Sequence, residues 1–146
     1  MIYCAFSSIC PSNDGAIIRF MNKKLEDVFI GESIDESQFQ YQCILRNGNA
    51  TNFIYVCTGV MACDAYCYEE VKDFLEDCVQ FIAIEINEIN YYLMNVIDVR
   101  NALDDEKSVK SYFHNGNLYK LEYNSFRSEI ITDVVIFKIP YKVLFQ

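Results

Sequence analysis

Hydrophobic and polar positions alternate poorly through the middle of this chain, and that irregularity is the first clue to its fold. Val79–Ile86 and Tyr91–Val99 are two nearly continuous apolar runs separated by Asn87-Glu88-Ile89-Asn90. Short runs rich in Ile, Val, Tyr and Phe read as strands, and the polar break reads as a four-residue hairpin connection. Both faces of each run are largely apolar, so the two strands are expected at the centre of a sheet covered on both sides. Just upstream, Tyr68–Asp77 predicts the main helix. Val71, Phe74, Leu75 and Cys78 fall at i, i+3, i+4 and i+7 and so share one face. Glu69, Glu70 and Asp73 fall in its first turns, where negative charge suits the positive end of the helix dipole. Glu76 and Asp77 sit at the opposite, unfavourable end.

The flanking pattern adds shorter elements. Phe39–Leu45 places Phe39, Tyr41, Cys43 and Leu45 on one side of an alternating stretch, as a half-buried strand does. Ile2–Phe6, Ala16–Phe20 and Phe53–Cys57 predict further strands, with a loop at Pro11–Gly15 and a turn at Asn47-Gly48-Asn49. Leu25–Ile30 fits either type of element and ends at Gly31. Asn101–Ser108 is polar and acidic, suiting a loop or a single helical turn. Val109–Phe113 and Leu118–Tyr123 predict a second hairpin around Asn115-Gly116, and Ile130–Ile139 a last long strand stopping at Pro140. Together these predict one α+β domain over residues 1–146. Its mainly antiparallel sheet carries one main helix, about 68–77, and a central hairpin, 79–86/91–99.

Composition narrows the class. A chain of 146 residues can bury a core without disulfides or structural metals. No run approaches the roughly 18 apolar residues of a membrane span, and Met1-Ile-Tyr-Cys-Ala-Phe lacks the basic and long apolar parts of a secretory signal. A soluble, cytoplasmic protein is therefore expected. The seven cysteines (4, 10, 43, 57, 63, 67, 78) are odd in number and irregular in spacing, which reads as small reduced core residues. No Cys-x-x-Cys pair is present to suggest a zinc module. The one histidine, His114, lies in the turn sequence His114-Asn115-Gly116-Asn117, a poor place for the base of a cysteine nucleophile.

Charge changes the picture more. The chain carries −9, but residues 64–106 hold twelve acidic residues against two basic ones, a net −10, whereas residues 107–146 carry +3. An acidic centre repels nucleic acid, which needs a basic surface, and attracts a basic protein. The candidate partner-binding residues are Glu69, Glu70, Asp73, Glu76 and Asp77 on the helix, with Asp98, Asp104, Asp105 and Glu106 after the hairpin. Tyr66, Tyr68 and Tyr112 are candidate aromatic anchors for such an interface. The plainer alternative is a solvated face partly offset by Lys107 and Lys110. Asp98 and Asp104–Glu106 have the oxygen ligands a divalent metal wants, but the calcium-loop pattern is missing. So are a glycine-rich phosphate loop and a nucleophile–histidine motif. No cofactor, no metal and no catalysis are expected.

One resemblance is carried by particular residues. These are the helix ending Asp73-Phe74-Leu75-Glu76, then Val79-Gln80-Phe81-Ile82-Ala83-Ile84 and Tyr91-Tyr92-Leu93-Met94-Asn95-Val96. They continue with Asn101-Ala102-Leu103-Asp104, Glu106-Lys107-Ser108 and Ile136-Phe137-Lys138-Ile139-Pro140. In order and spacing, residues 69–140 resemble a family of small bacterial immunity proteins of polymorphic toxin systems, formerly a domain of unknown function. Residues 1–63 match loosely, chiefly at Gly31-Glu-Ser-Ile34. Family members often continue past the last strand with a short helix, so the resemblance implies a domain shortened at its C-terminus. The resemblance implies a toxin inhibitor of bacterial competition, including contact-dependent inhibition, whose partner is a cognate toxin and which performs no catalysis. A basic partner of this kind is expected to be a nuclease. The resemblance carries no list of contact residues, and Asn95, Asp98 and Asp104 read equally well as hydrogen bonds holding the hairpin and its exit. The competing readings are a structural or regulatory interaction module without a toxin, and a small metal-dependent enzyme.

Overall fold

A computed structural model of the chain describes residues 15–20, 28–38, 40–46, 52–57 and 60–140. The expectations for Ile2–Phe6, for most of Pro11–Gly15, for the first half of Leu25–Ile30, for Phe39, for Asn47-Gly48-Asn49, and for Cys4 and Cys10 lie outside these residues. At the centre is an antiparallel sheet in the order β3 (Phe53–Cys57), β4 (Val60–Asp64), β6 (Ile89–Val96), β5 (Val79–Ile86). Two antiparallel pairs accompany it: β1 (Gly15–Phe20) with β2 (Tyr41–Arg46), and β7 (Val109–Tyr112) with β8 (Leu118–Tyr123). The main helix is α1, Ala65–Leu75. The fold is α+β, a mainly antiparallel sheet with one main helix packed on it, as the hydrophobic pattern predicts.

Register explains why alternation is poor. Gln80, Ile82 and Ile84 of β5 lie opposite Asn95, Leu93 and Tyr91 of β6, and Val60 and Ala62 of β4 meet the same Asn95 and Leu93. Side chains that oppose one another project from the same face. That face buries Ile54, Val60, Ala62, Ile82, Ile84, Ile86, Tyr91 and Leu93 with Val28 and Phe29, and Ile34 and Cys43 pack on it. The other face buries Cys63, Val79, Met94 and Val96 against Leu75, with Cys67, Tyr68 and Val71 of α1 packed on it. At roughly 1.5–3 kcal/mol per fully buried large apolar side chain, these two layers supply most of the drive to fold.

β6 is central, as expected, but β5 is an edge strand, and its Ala83 and Glu85 are exposed. The hairpin is also tighter than predicted. Ile86 pairs directly with Ile89, leaving only Asn87 and Glu88 in the turn, at φ 50° and 66°. Two consecutive left-handed residues make the type I′ geometry, whose twist matches that of the strands. β6 therefore starts two residues earlier than expected and ends at Val96. Beyond it the chain leaves the sheet: the Arg100 amide donates to Lys138 O at 2.8 Å, and the Lys138 amide to Asp98 O at 2.8 Å.

Three further expectations are corrected. β4 is absent from the sequence reading because it is only five residues long and runs directly into a helix. The helix begins at Ala65, not Tyr68, because Asp64 caps it: its carboxylate accepts the Cys67 amide at 2.8 Å. That start moves Glu69, Glu70 and Asp73 out of the first turn, which holds no acidic residue. Tyr68, Val71 and Leu75 face the sheet, and Phe74 points to solvent. Finally, Ile130–Ile139 is no strand. A 3-10 turn at Ser128–Ile130 is followed by turns that bury Ile131 and Val134, a spacing of three that an extended strand cannot place on one face.

The segment Gly31–Ile34 is latched onto the sheet by side chains. Gln80 Nε2 donates to Ile34 O at 2.7 Å, and the Ile34 amide donates to Gln80 Oε1 at 2.8 Å. Asn95 Nδ2 donates to Glu32 O at 2.8 Å and to Gln80 Oε1 at 3.1 Å. Asn95 is fully buried, so its amide is a fold determinant.

Candidate partner-binding surface

Helical geometry decides which acids α1 offers. Facing the sheet through Tyr68, Val71 and Leu75, it turns Tyr66, Glu69, Glu70, Asp73 and Phe74 to solvent. Tyr66 is 71% exposed and Phe74 76%. An exposed aromatic pair among carboxylates combines large contact area with charge, the mixture that interface anchors require. Glu69 is paired with Lys72 at 2.5 Å. Glu70, Asp73, Glu76 and Asp77 have no ion-pair partner among the described residues. Glu76 is the C-cap and Asp77 follows it, so both meet the negative end of the dipole uncompensated.

The acids after the hairpin behave differently. Asp98 is bound by Arg100 through Nε at 2.5 Å and a terminal guanidinium nitrogen at 2.9 Å. Asp104 accepts the Lys107 amide at 3.3 Å and pairs with Lys107 Nζ at 3.2 Å, closing the turn of residues 105–107. These contacts hold its carboxyl below the ordinary range, against a desolvation that raises it. Asp105 is paired with Lys110. Glu106 is exposed and has no such pair among the described residues. The structure thus brings together Glu69, Glu70 and Asp73 on one helix face, with Glu76 and Asp77 at its end. Asp98 and Asp104 are engaged within the chain, and the turn of Asp105 and Glu106 belongs to the base of the β7–β8 hairpin.

Of the expected aromatic anchors, Tyr66 and Tyr112 are exposed. Tyr68 is not. It stacks on Tyr92 with ring centroids 3.8 Å apart and meets the Phe81 edge at 5.1 Å, so it belongs to the helix–sheet seam. Sequence reasoning missed Phe74, which it assigned to the core, and missed Phe113, Tyr119 and Tyr123, all exposed on the second hairpin. Asp64 was the signal for Phe74. Setting the cap there, four residues earlier than the expected start at Tyr68, shifts the inward stripe to Tyr68, Val71 and Leu75.

Three thiols, those of Cys63, Cys67 and Cys78, are made harder to ionise. Burial pushes the Cys63 thiol up to about 11, with added repulsion from Cys67 and Asp64. Burial likewise raises Cys78 and Cys67. Among the described residues no group of three or more His, Cys, Asp or Glu is placed to hold a metal, and no helix is long and apolar enough to cross a membrane. No family model, curated protein or solved structure matches the chain.

Proposed function

We propose that this chain is an immunity protein that binds a cognate bacterial toxin, in particular a nuclease, and neutralises it by covering its active site. The observation that carries the reading is the outward face of α1, where exposed Glu70 and Asp73, in no ion pair among the described residues, stand between exposed Tyr66 and Phe74. A nuclease cleft must be basic to hold phosphate. An acidic inhibitor imitates that phosphate charge and is steered into the cleft, with association accelerated by factors on the order of 10–1,000. Inhibition of this kind is stoichiometric and requires no cofactor. The resemblance over residues 69–140 supports the same reading, because it rests on the core strands and the helix that present this face.

Co-expression with the toxin encoded beside this gene is the test, with growth rescue and co-purification as readouts. Rescue together with a stable complex is expected. Failure of both sinks the immunity reading and leaves an interaction module with another partner.

A further inference from the structure

The central sheet ends on two strands that are guarded unequally. β3, at one edge, has a break in register between Tyr55 and Cys57, and such irregularities turn an edge away from further pairing. β5, at the other, pairs with β6 in unbroken register from Val79 to Ile86 and contains no proline or lysine. The Glu85 amide points away from β6, for it donates to Tyr41 Oη at 3.3 Å. Main-chain groups two residues apart in a strand point the same way, so the amides and carbonyls of Phe81 and Ala83 also face outward. None of these groups has a hydrogen-bond partner among the described residues, and Ala83 is exposed.

Beside this open stretch lies a cavity of about 110 Å³, lined by Ile34, Ile82, Ile84 and Leu93 together with Tyr41 and Glu36. Its outer wall is tied to β5 at two points, by Gln80 at Ile34 and by Tyr41 at Glu85. A cavity of roughly 150 Å³ admits benzene, so the space here suits a branched aliphatic side chain. A strand added to β5 would project its residue opposite Ile82 from the face that Ile82 shares with Leu93, which is where the cavity lies. Charge then selects the occupant. Residues 32–41 and 79–89 contain Glu32, Asp35, Glu36, Glu85 and Glu88 but no lysine or arginine. A second copy would set the same acids against these, on chains of net charge −9 each, so self-pairing is opposed and a basic segment favoured. We infer that the β5 edge at Phe81 and Ala83 receives a short extended segment of a basic partner protein. The segment's main chain pairs with β5, one aliphatic side chain fills the cavity, and Lys or Arg residues flank it. In this mode of recognition main-chain hydrogen bonds supply affinity and the side-chain pocket supplies specificity. The partner is the basic toxin that α1 attracts, so the inference rests on the immunity reading for its identity.

Amide hydrogen exchange separates this edge from the α1 face. It is measured on the full chain, alone and bound to the catalytically silenced product of the adjacent toxin gene. The Phe81 and Ala83 amides are expected to slow about tenfold or more in the complex, whereas those of Ile82 and Ile84, which point to β6, change little. Ala83→Pro removes one outward donor and keeps the bonds to β6, as an edge position allows, and is expected to weaken binding about tenfold. Glu36→Lys with Glu85→Lys, both at exposed positions, keeps the donors but reverses the charge. It is expected to weaken binding about tenfold at low salt and less at high salt. Circular dichroism and melting temperature verify folding; where Ala83→Pro does not fold, the exchange rates and the lysine variant decide. If the toxin binds while both amides exchange as in the free protein, β5 is not the site and the immunity reading stands. Protection of these amides that rises with concentration of the free chain would place a second copy on the edge and overturn the inference. If the toxin does not bind at all, both readings fall together.

Discussion

Single residues in this protein are fixed by backbone geometry as much as by apolarity. Gly31 has φ +96°, and a Cβ placed there would lie 2.2 Å from Val99 Cγ2. Gly31→Ala therefore combines a left-handed backbone penalty with direct overlap, and is expected to destabilise by about 2 kcal/mol or more in urea unfolding. Val99→Ala removes the overlapping methyl group, so the double variant should be less destabilised than the sum of the single ones; strict additivity would show that the contact is not the cause. Asp64 illustrates the ionisable case. Its carboxylate is held below its ordinary 3.8, chiefly by the Cys67 amide and also by Asn52 Nδ2 at 2.7 Å. A depressed carboxylate stabilises the fold above its unfolded pKa, and that contribution is lost as pH falls through the lower folded value. Asp64→Ala should cost about 1 kcal/mol at neutral pH, with the difference from the unaltered protein shrinking below about pH 4.

Elements show which physical signals are local. The apolar runs of β5 and β6 are legible because two-sided burial leaves a composition that no exposed segment shares. The four-residue connection is misread because polar Asn87, Glu88 and Asn90 surround the single apolar Ile89, although the pairing of Ile86 with Ile89 closes a two-residue turn. Asn suits the first left-handed position of that turn, but Glu88 at φ 66° does not. Glu88→Gly is expected to stabilise by about 0.5–1 kcal/mol, seen as a higher urea midpoint at constant slope; no gain would mean that the side chain of Glu88 contributes a compensating interaction. The phase of α1 was misjudged for a different reason. Phe74 is apolar and correctly spaced for the core, and only the cap at Asp64 and the docking of Tyr68 on Tyr92 rotate it outward. Ile130–Ile139 fails similarly: its apolar content suggests a strand, but Ile131 and Val134 are buried in local turns, and it is the flanking residues Phe126, Arg127 and Lys138 that pair with residues 98–103, beyond any local window.

At the scale of the molecule, the acidic character expected from the sequence separates into charges that hold the fold and charges that do not. Asp64, Asp98, Asp104 and Asp105 are used internally, as a helix cap, an arginine clamp, a turn closure and an ion pair. Among the described residues, four acids without an ion pair, Glu70, Asp73, Glu76 and Asp77, lie on and just after α1, and the last two oppose stability. Glu76 and Asp77 sit at the negative end of the helix dipole on a chain of net charge −9, so each adds repulsion that a neutral residue would relieve. Replacing either with lysine should raise stability by about 0.5 kcal/mol, read as a higher melting temperature at low ionic strength. The same change should slow association with a basic partner and weaken growth protection in co-expression. A stability gain with undiminished protection would mean that this end of α1 is a solvated face without a partner, and would confine the α1 interface to the stripe from Tyr66 to Phe74.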